Sequence, residues 1–258
     1  MQELSWSNYC EYIKNKWPVY VSDYDTKDDV LGINIYRFLE VLNDHMTENT
    51  IVVTDAGSAS YALPQNLKAK LGQRFVFSAS QADMGCAVPA GIGVALAAPE
   101  KTVVVVTGDG SFNSNIQELA SIKQHNLSLK IFVLNNSGYL SIRNTQRKFF
   151  ENRVYGVDKQ SGLWFPSLHA IAQAYRINYT NIFGEFDLKT QVADVLKKNH
   201  AYIVDINCLH NQEIVPTQML KEVNGKKVQA ALDDMYPFMP DDEYEEEKNS
   251  VLSICKKL

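Results

Sequence analysis

The sequence predicts an α/β fold: a doubly wound parallel sheet with helices on both faces. Three observations carry this. Short runs rich in β-branched residues alternate with longer segments of helical periodicity, the pattern of repeated β-α units. The runs are apolar throughout rather than alternating, as in TVVVVT (102–107) and KIFVL (130–134), which marks strands buried on both faces. Three of them end in loops of Gly, Asp, Asn and Ser, at the place where an open parallel sheet forms its ligand crevice.

Residues 1–30 read as a linker. They carry Trp6, Tyr9, Tyr12 and Trp17, then Pro18 and the acidic stretch Ser22–Asp29, and the aromatics are expected to pack on a surface in this chain or another. From Ile33 the spacing of Ile35, Phe38, Leu39, Leu42 and Met46 predicts an amphipathic helix over 33–47. IVVT (51–54) is a buried strand, followed by a helix over 58–71 and a short strand at 75–77. The small apolar residues of 85–98 (GCAVPAGIGVALAA) suit a helix set closely on a sheet. Gly91-Ile92-Gly93 within them reads as a packing device, because no strand precedes it.

TVVVVT is the central strand. Ser114 with Gln117 three residues on matches a capping box for a helix over 114–125. KIFVL gives the next strand, and helices are expected over 140–149, 167–175 and 186–199. A weak strand at 179–183 and a last one, YIVDIN (202–207), complete the series, so that 31–212 forms one doubly wound domain. From 213 to 258 the chain is polar, with an acidic cluster Asp241–Glu247, and reads as a C-terminal tail or short helices facing solvent.

Composition narrows the function. With 30 acidic and 25 basic residues, a net charge of −5 gives no support to a nucleic-acid or anionic-membrane partner. No stretch approaches the ~20 apolar residues that span a bilayer. The four cysteines, Cys10, Cys86, Cys208 and Cys255, form no CxxC pair, which argues against a zinc site or disulfide framework and fits a reducing compartment. The N-terminus shows no basic start followed by an apolar segment, so a cytoplasmic enzyme-like domain is expected.

The chemistry is expected at the three strand ends: Thr54–Ser58, Gly108–Ser111 and Asn135–Tyr139. Gly108 and Gly110 let backbone N–H groups approach a ligand, and a following helix N-terminus favours an anion. Asp109 stands between them. Its carboxylate would repel a diphosphate by several kcal/mol if both were poorly solvated, unless a divalent cation sat between the two. Magnesium takes six oxygens: Asp109 supplies one, the Asn136 amide a second, and the carbonyl of Ser137 or Gly138 a third, with diphosphate and water completing the shell. A nicotinamide site fits less well, because Asn135-Asn136 stands where an acidic residue would bind ribose.

GDG, 25 residues, then Asn136 of the Asn135-Asn136 pair is similar to the thiamin-diphosphate-binding motif. The run GDGSFNSNIQELASIKQHNLSLKIFVLNNSGY, with TDAGSAS (54–60) and SQADMGCAVPAGIGVALAAP (80–99), resembles the diphosphate-binding domain of acetolactate synthase-like enzymes, over roughly 30–215. The resemblance implies thiamin diphosphate and Mg²⁺ as cofactors, with Asp109, Asn136 and the Gly138 carbonyl as metal ligands. Gly110 and Ser111 would meet the diphosphate, and Gly57, Ser58 and Ala59 would form a second diphosphate loop. Met84 would support the bent cofactor, and Tyr139 and Leu140 would lie near cofactor or substrate. The implied reaction is decarboxylation or carboligation of a 2-oxo acid such as pyruvate, in a homo- or hetero-oligomer.

Two departures qualify it. Thr145 in Arg143-Asn144-Thr145-Gln146 stands where acetolactate-forming enzymes carry the Trp of a Trp-Gln pair. The glutamate that activates the cofactor in this family comes from a separate pyrimidine-binding domain, which these residues do not resemble. The catalytic acid is therefore expected from another domain or subunit, and the chain alone is expected to turn over little or no 2-oxo acid. The competing reading is a non-catalytic binding or regulatory module that keeps the fold. Plainer roles stand beside the sharp ones: Asp109 as a turn residue, Asn135-Asn136 as a strand cap, Met84 as core. Ser111 lacks a GxSxG setting, which disfavours a hydrolase. His45, His125, His169, His200 and His210 show no metal spacing, although His210 and Glu213 follow the last strand and would lie near a substrate.

Overall fold

Six strands pair in parallel among the residues that the computed structural model describes, 6–20, 32–78 and 80–255. They are β1 (Thr50–Thr54), β2 (Arg74–Val76), β3 (Thr102–Gly108), β4 (Leu129–Asn135), β5 (Asn178–Ile182) and β6 (Tyr202–Asn207), in the spatial order β2-β1-β3-β4-β6-β5. The expected Ser22–Asp29 stretch lies outside the described residues. The helices that accompany the sheet are α2 (Ile35–His45), α3 (Gly57–Asn66), α4 (Ala87–Ala97), α5 (Asp109–Ser114), α6 (Leu119–Gln124), α7 (Leu140–Phe149), α8 (Leu168–Tyr175) and α9 (Glu185–Leu196), with α1 (Trp6–Lys16) ahead of them.

Both faces of the sheet are covered, as apolar strands require. Val103, Val105, Ile131 and Val133 pack in one core with Ile92 of α4, Ile122 of α6 and Ile171 of α8. The alternate residues face the other way, where Phe132 of β4 meets Phe38 of α2 at a ring-centroid distance of 5.5 Å. The doubly wound reading of the sequence is therefore correct. Asn34 starts α2 by accepting from the Tyr36 N–H at 2.9 Å, and the Ser167 side chain caps α8.

The strand order places the reversal of winding between β1 and β3: from β1 the chain goes outward to β2, and from β3 it goes the other way to β4. That switch point is where an open α/β sheet leaves a crevice. Asp55, just past β1, ties it together from below. Its carboxylate accepts from the N–H groups of Ala56 (2.8 Å) and Gly85 (3.1 Å) and from the Thr107 hydroxyl (3.1 Å). Asp55 is fully buried, and burial raises its pKa despite these donors. One side chain thus joins the ends of β1 and β3 to the loop before α4.

The structure differs from the expectations at several points. The helix expected over 58–71 ends at Asn66. The helix expected over 114–125 begins at Asp109, directly off β3, and breaks at Asn115. Ser114 makes no capping box: its hydroxyl donates back to the Gly110 carbonyl, and Gln117 donates to the Asn115 side chain. Asn115 itself donates to the Gly85 carbonyl at 2.8 Å, which accounts for the break. Of the glycine pair in α4, only Gly91 is a packing device. A Cβ there would lie 2.6 Å from Val105 Cγ2, whereas nothing lies within 4 Å of one at Gly93.

Residues 1–19 and 213–258 form a second compact unit, separate from Tyr20–Gln212. Within it, β7 (Leu220–Val223) and β8 (Lys226–Gln229) pair antiparallel and are followed by α10 (Asp241–Cys255). The acidic run is not simply solvated. Glu247 of α10 accepts from Lys16 at 2.6 Å and from Tyr12 at 3.4 Å, so that α1 and α10 are joined. None of the described helices is long and apolar enough to cross a membrane.

Two sets of variants test this packing by urea denaturation. Gly91→Ala is expected to lose about 1–2 kcal/mol, because overpacking exceeds the gain in helix propensity, while Gly93→Ala gains about 0.5–1 kcal/mol. Asp55→Ala leaves buried donors without an acceptor and is expected to lose about 2–4 kcal/mol, against about 1 kcal/mol for Thr107→Val.

Candidate functional site

The carboxyl ends of β1, β3 and β4 converge on a shallow crevice of about 70 Å³. From β1 and α3 come Gly57 and Ser58, and from β3 and α5 come Gly108, Asp109, Gly110 and Ser111. From β4 and α7 come Asn136, Gly138, Tyr139 and Leu140, and Met84 closes one side from the loop before α4. These residues span 57–140 in sequence and are brought together by the sheet. Ala59 does not line the crevice: it is the third residue of α3 and wholly buried.

Asp109 is 4% exposed. Its Oδ1 accepts from the Gly110 N–H at 2.8 Å and its Oδ2 from the Gly138 N–H at 2.9 Å. Burial pushes its pKa up to about 7, outweighing both donors, with Arg143 pulling down and Asp205 pushing up. Its charge is thus poorly compensated. Asn136, 3% exposed, keeps its amide Oδ1 buried without a hydrogen-bond partner. A strand cap would use the Asn136 amide oxygen on the chain itself, which it does not, whereas both Asp109 oxygens do take backbone donors. The Gly138 carbonyl accepts from the Leu140 N–H at 3.1 Å and retains a second lone pair.

Carboxylate, amide and carbonyl oxygens are the donors that a hard ion such as Mg²⁺ prefers. Among the described residues no group of three His, Cys, Asp or Glu could cage a metal. The oxygens of Asp109, Asn136 and Gly138 fit, by their chemistry, an ion that takes its remaining donors from a ligand and water.

The surrounding glycines have specific reasons. Tyr139 lies across Gly110, where any Cβ would strike its ring, and its own ring meets Phe165 edge-on at 5.5 Å. Gly138 has φ +149°, and a Cβ there would collide with the Val157 carbonyl. Met84 is 44% exposed, which rules out a core role within this unit. Ser111 is buried and lies beside the glycines.

Asp109 also borders a larger neighbouring cavity of about 340 Å³, lined by Asn135, Asp205 and Trp164 among others. Asp205 accepts from Asn135 at 2.9 Å and from Tyr179 at 3.0 Å. Sequence reasoning gave no role to Arg143 or Asp205, and placed Asp55 at a strand end without a bracing role. The signal for Asp205 was a charge inside the apolar run YIVDIN, and for Arg143 a charge one helical turn from Leu140, the other buried residue of α7. His210 does not line the crevice, but its Nδ1 lies 3.1 Å from the Asn136 carbonyl.

Comparison with known proteins bears on this geometry. The model of the family "Thiamine pyrophosphate enzyme, C-terminal TPP binding domain" matches residues 55–206. The chain is 25% identical to acetolactate synthase isozyme 2 large subunit of Escherichia coli, over 84% of this chain and 38% of that protein. It is 30% identical to chloroplastic acetolactate synthase 2 of Zea mays, over 69% of this chain and 28% of that one. The chain thus spans roughly a third of the length of these relatives. A solved structure, the thiamine diphosphate-dependent 4-hydroxybenzoylformate decarboxylase of Rhodococcus jostii RHA1, shares the fold with a TM-score of 0.63, at 22% identity over 70% of this chain and 34% of that one. The crevice at the switch point lies inside the matched segment, and the chain belongs to the thiamine pyrophosphate enzymes, carrying their C-terminal cofactor-binding domain, which resembles that of acetolactate synthase.

Proposed function

We propose that this chain holds thiamin diphosphate through a Mg²⁺ ion bound by the Asp109 carboxylate, the Asn136 amide oxygen and the Gly138 carbonyl. In this reading it is the cofactor-anchoring part of an enzyme that decarboxylates or ligates a 2-oxo acid. The observation that carries it is the pairing at one crevice of a buried carboxylate with a buried amide oxygen that has no partner. When bound, the cofactor supplies the electron sink for loss of CO₂ from a 2-oxo acid.

The chain's own residues would anchor and orient. Gly110 and Ser111 on one side, and Gly57 and Ser58 on the other, offer close approach to a diphosphate. Met84 offers an apolar support from the wall, and Tyr139 is held in place by Gly110 and Phe165. A crevice of about 70 Å³ is far below the ~300 Å³ that encloses a ligand of this size, and Asp109 is the one carboxylate among its described lining residues. Both facts support a second wall, and an activating glutamate, from a pyrimidine-binding domain or subunit beyond the matched residues. The active assembly is then at least a dimer or a pair of domains.

The test is thermal melting of the chain with Mg²⁺ plus thiamin diphosphate, with Mg²⁺ plus NAD, and with neither. At 100 times its Kd a ligand adds ~2.7 kcal/mol, an easily read rise in Tm. The rise is expected with the thiamin cofactor alone and is expected to vanish in Asp109→Ala and Asn136→Ala. An equal rise with NAD, or one that survives Asp109→Ala, would sink the reading. Pyruvate turnover by the isolated chain is expected to stay at background.

A further inference from the structure

Arg143 is a buried charge to which the proposed chemistry gives no task. Its side chain is wholly enclosed on α7. Nη2 donates to the backbone carbonyl of Asn136 at 3.2 Å and to that of His210. Nη1 lies 3.8 Å from Asp158 Oδ2, too far for a hydrogen bond, and Nε and Nη1 have none. The shorter contacts therefore go to main chain, not to the acid. A buried guanidinium is costly unless it is hydrogen-bonded, and here Nη2 alone joins the loop that follows β4, through Asn136, to the segment that follows β6, through His210.

His210 reaches the same carbonyl. Its Nδ1 is 3.1 Å from the Asn136 carbonyl, an acceptor, so the proton of that bond sits on Nδ1, while Nε2 lies 3.8 Å from Asp158. The Asn136 carbonyl thus takes two donors while its amide Oδ1 takes none. The segment 157–161 braces the loop further on. The Tyr139 N–H donates to the Val157 carbonyl at 2.8 Å, Gly138 pairs with Asp158 in an isolated bridge, and the Ser161 hydroxyl holds Asp158 at 2.7 Å.

We propose that Arg143 and His210 form a clasp on the main chain of Asn136 that sets residues 136–139 in their ion-binding shape before an ion arrives. The inference rests on Asn136 and Gly138 serving the ion, as proposed above. Both clasp residues are positioning residues: they act through Asn136 and do not line the crevice. Groups that orient metal ligands in this way commonly change metal affinity by about 10–100-fold when removed.

The experiment uses the full chain with Arg143→Met, Arg143→Lys and His210→Ala. The His210 side chain is 45% exposed, so His210→Ala keeps the question open if Arg143→Met does not fold. Two quantities are read: hydrogen exchange of the Gly138 and Tyr139 amides without ligand, and the Mg²⁺ concentration that half-saturates binding at fixed thiamin diphosphate. Exchange at these two amides is expected to quicken in Arg143→Met and less in His210→Ala, with β3 amides unchanged. The Mg²⁺ requirement is expected to rise about tenfold or more in Arg143→Met and a few-fold in His210→Ala, with Arg143→Lys between wild type and Met.

Unchanged exchange at 138 and 139 in His210→Ala and in folded Arg143→Met overturns the clasp. So does a uniform quickening across the sheet, which a merely structural arginine would give. Wild-type chain that binds no cofactor with Mg²⁺ would refute the preceding proposal instead, and the ligand-free exchange would still decide this one.

Discussion

The candidate site turns on the burial of one carboxylate. Asp109 sits at the end of the central strand with 4% of its surface exposed and two backbone N–H donors. Two such bonds do not replace the hydration it has lost, which is why its pKa rises to about 7. A chain gains nothing in stability by placing an under-compensated acid there. Marginal stability makes such a placement costly, and costs of this kind concentrate at sites that bind something.

The sheet explains why the acid can be held there at all. Parallel pairing puts every strand's carboxyl end on one edge, and the reversal between β1 and β3 keeps helices from closing over that edge. Asp55 fixes the spacing of the two strands by gripping Thr107 of β3 and Gly85 of the next loop. Gly85 has φ +85°, and Asn115 holds its carbonyl, so Met84 beside it is delivered to the crevice by backbone constraints rather than by its own packing. The surface of the crevice is thus assembled from main chain and short side chains on rigid strand ends, with little left to rotamer choice.

Much of this was legible in the sequence, and the reasons are physical. Strands buried on both faces must be apolar at every position, so TVVVVT and KIFVL could be placed almost to the residue. The candidate site was legible because GDG and Asn135-Asn136 break those apolar runs at their carboxyl ends. What escaped was set by tertiary contact. The capping box at Ser114 lost to a helix that begins at Asp109, because the Asn115 side chain is claimed by Gly85, a residue 30 positions away. Gly91 and Gly93 look alike in the sequence, but only one faces Val105. The pairing of α1 with α10 joins residues more than 230 apart through Glu247, and no local pattern announces it.

The incompleteness of the donor set has its own consequence. Mg²⁺ demands near-octahedral coordination by six oxygens and dehydrates reluctantly. In the proposed site the chain offers three, from Asp109, Asn136 and Gly138, and the ion alone would keep half its shell as water. A diphosphate alone would face the Asp109 charge across a poorly solvated gap. Each ligand therefore removes the obstacle to the other, and by linkage the factor by which the ion tightens the cofactor equals the factor by which the cofactor tightens the ion. A full cage of carboxylates would bind the ion first and hold it always. One acid and two neutral oxygens would make occupancy conditional on the phosphate tail, so the Asp109 charge stays under-compensated until both arrive together.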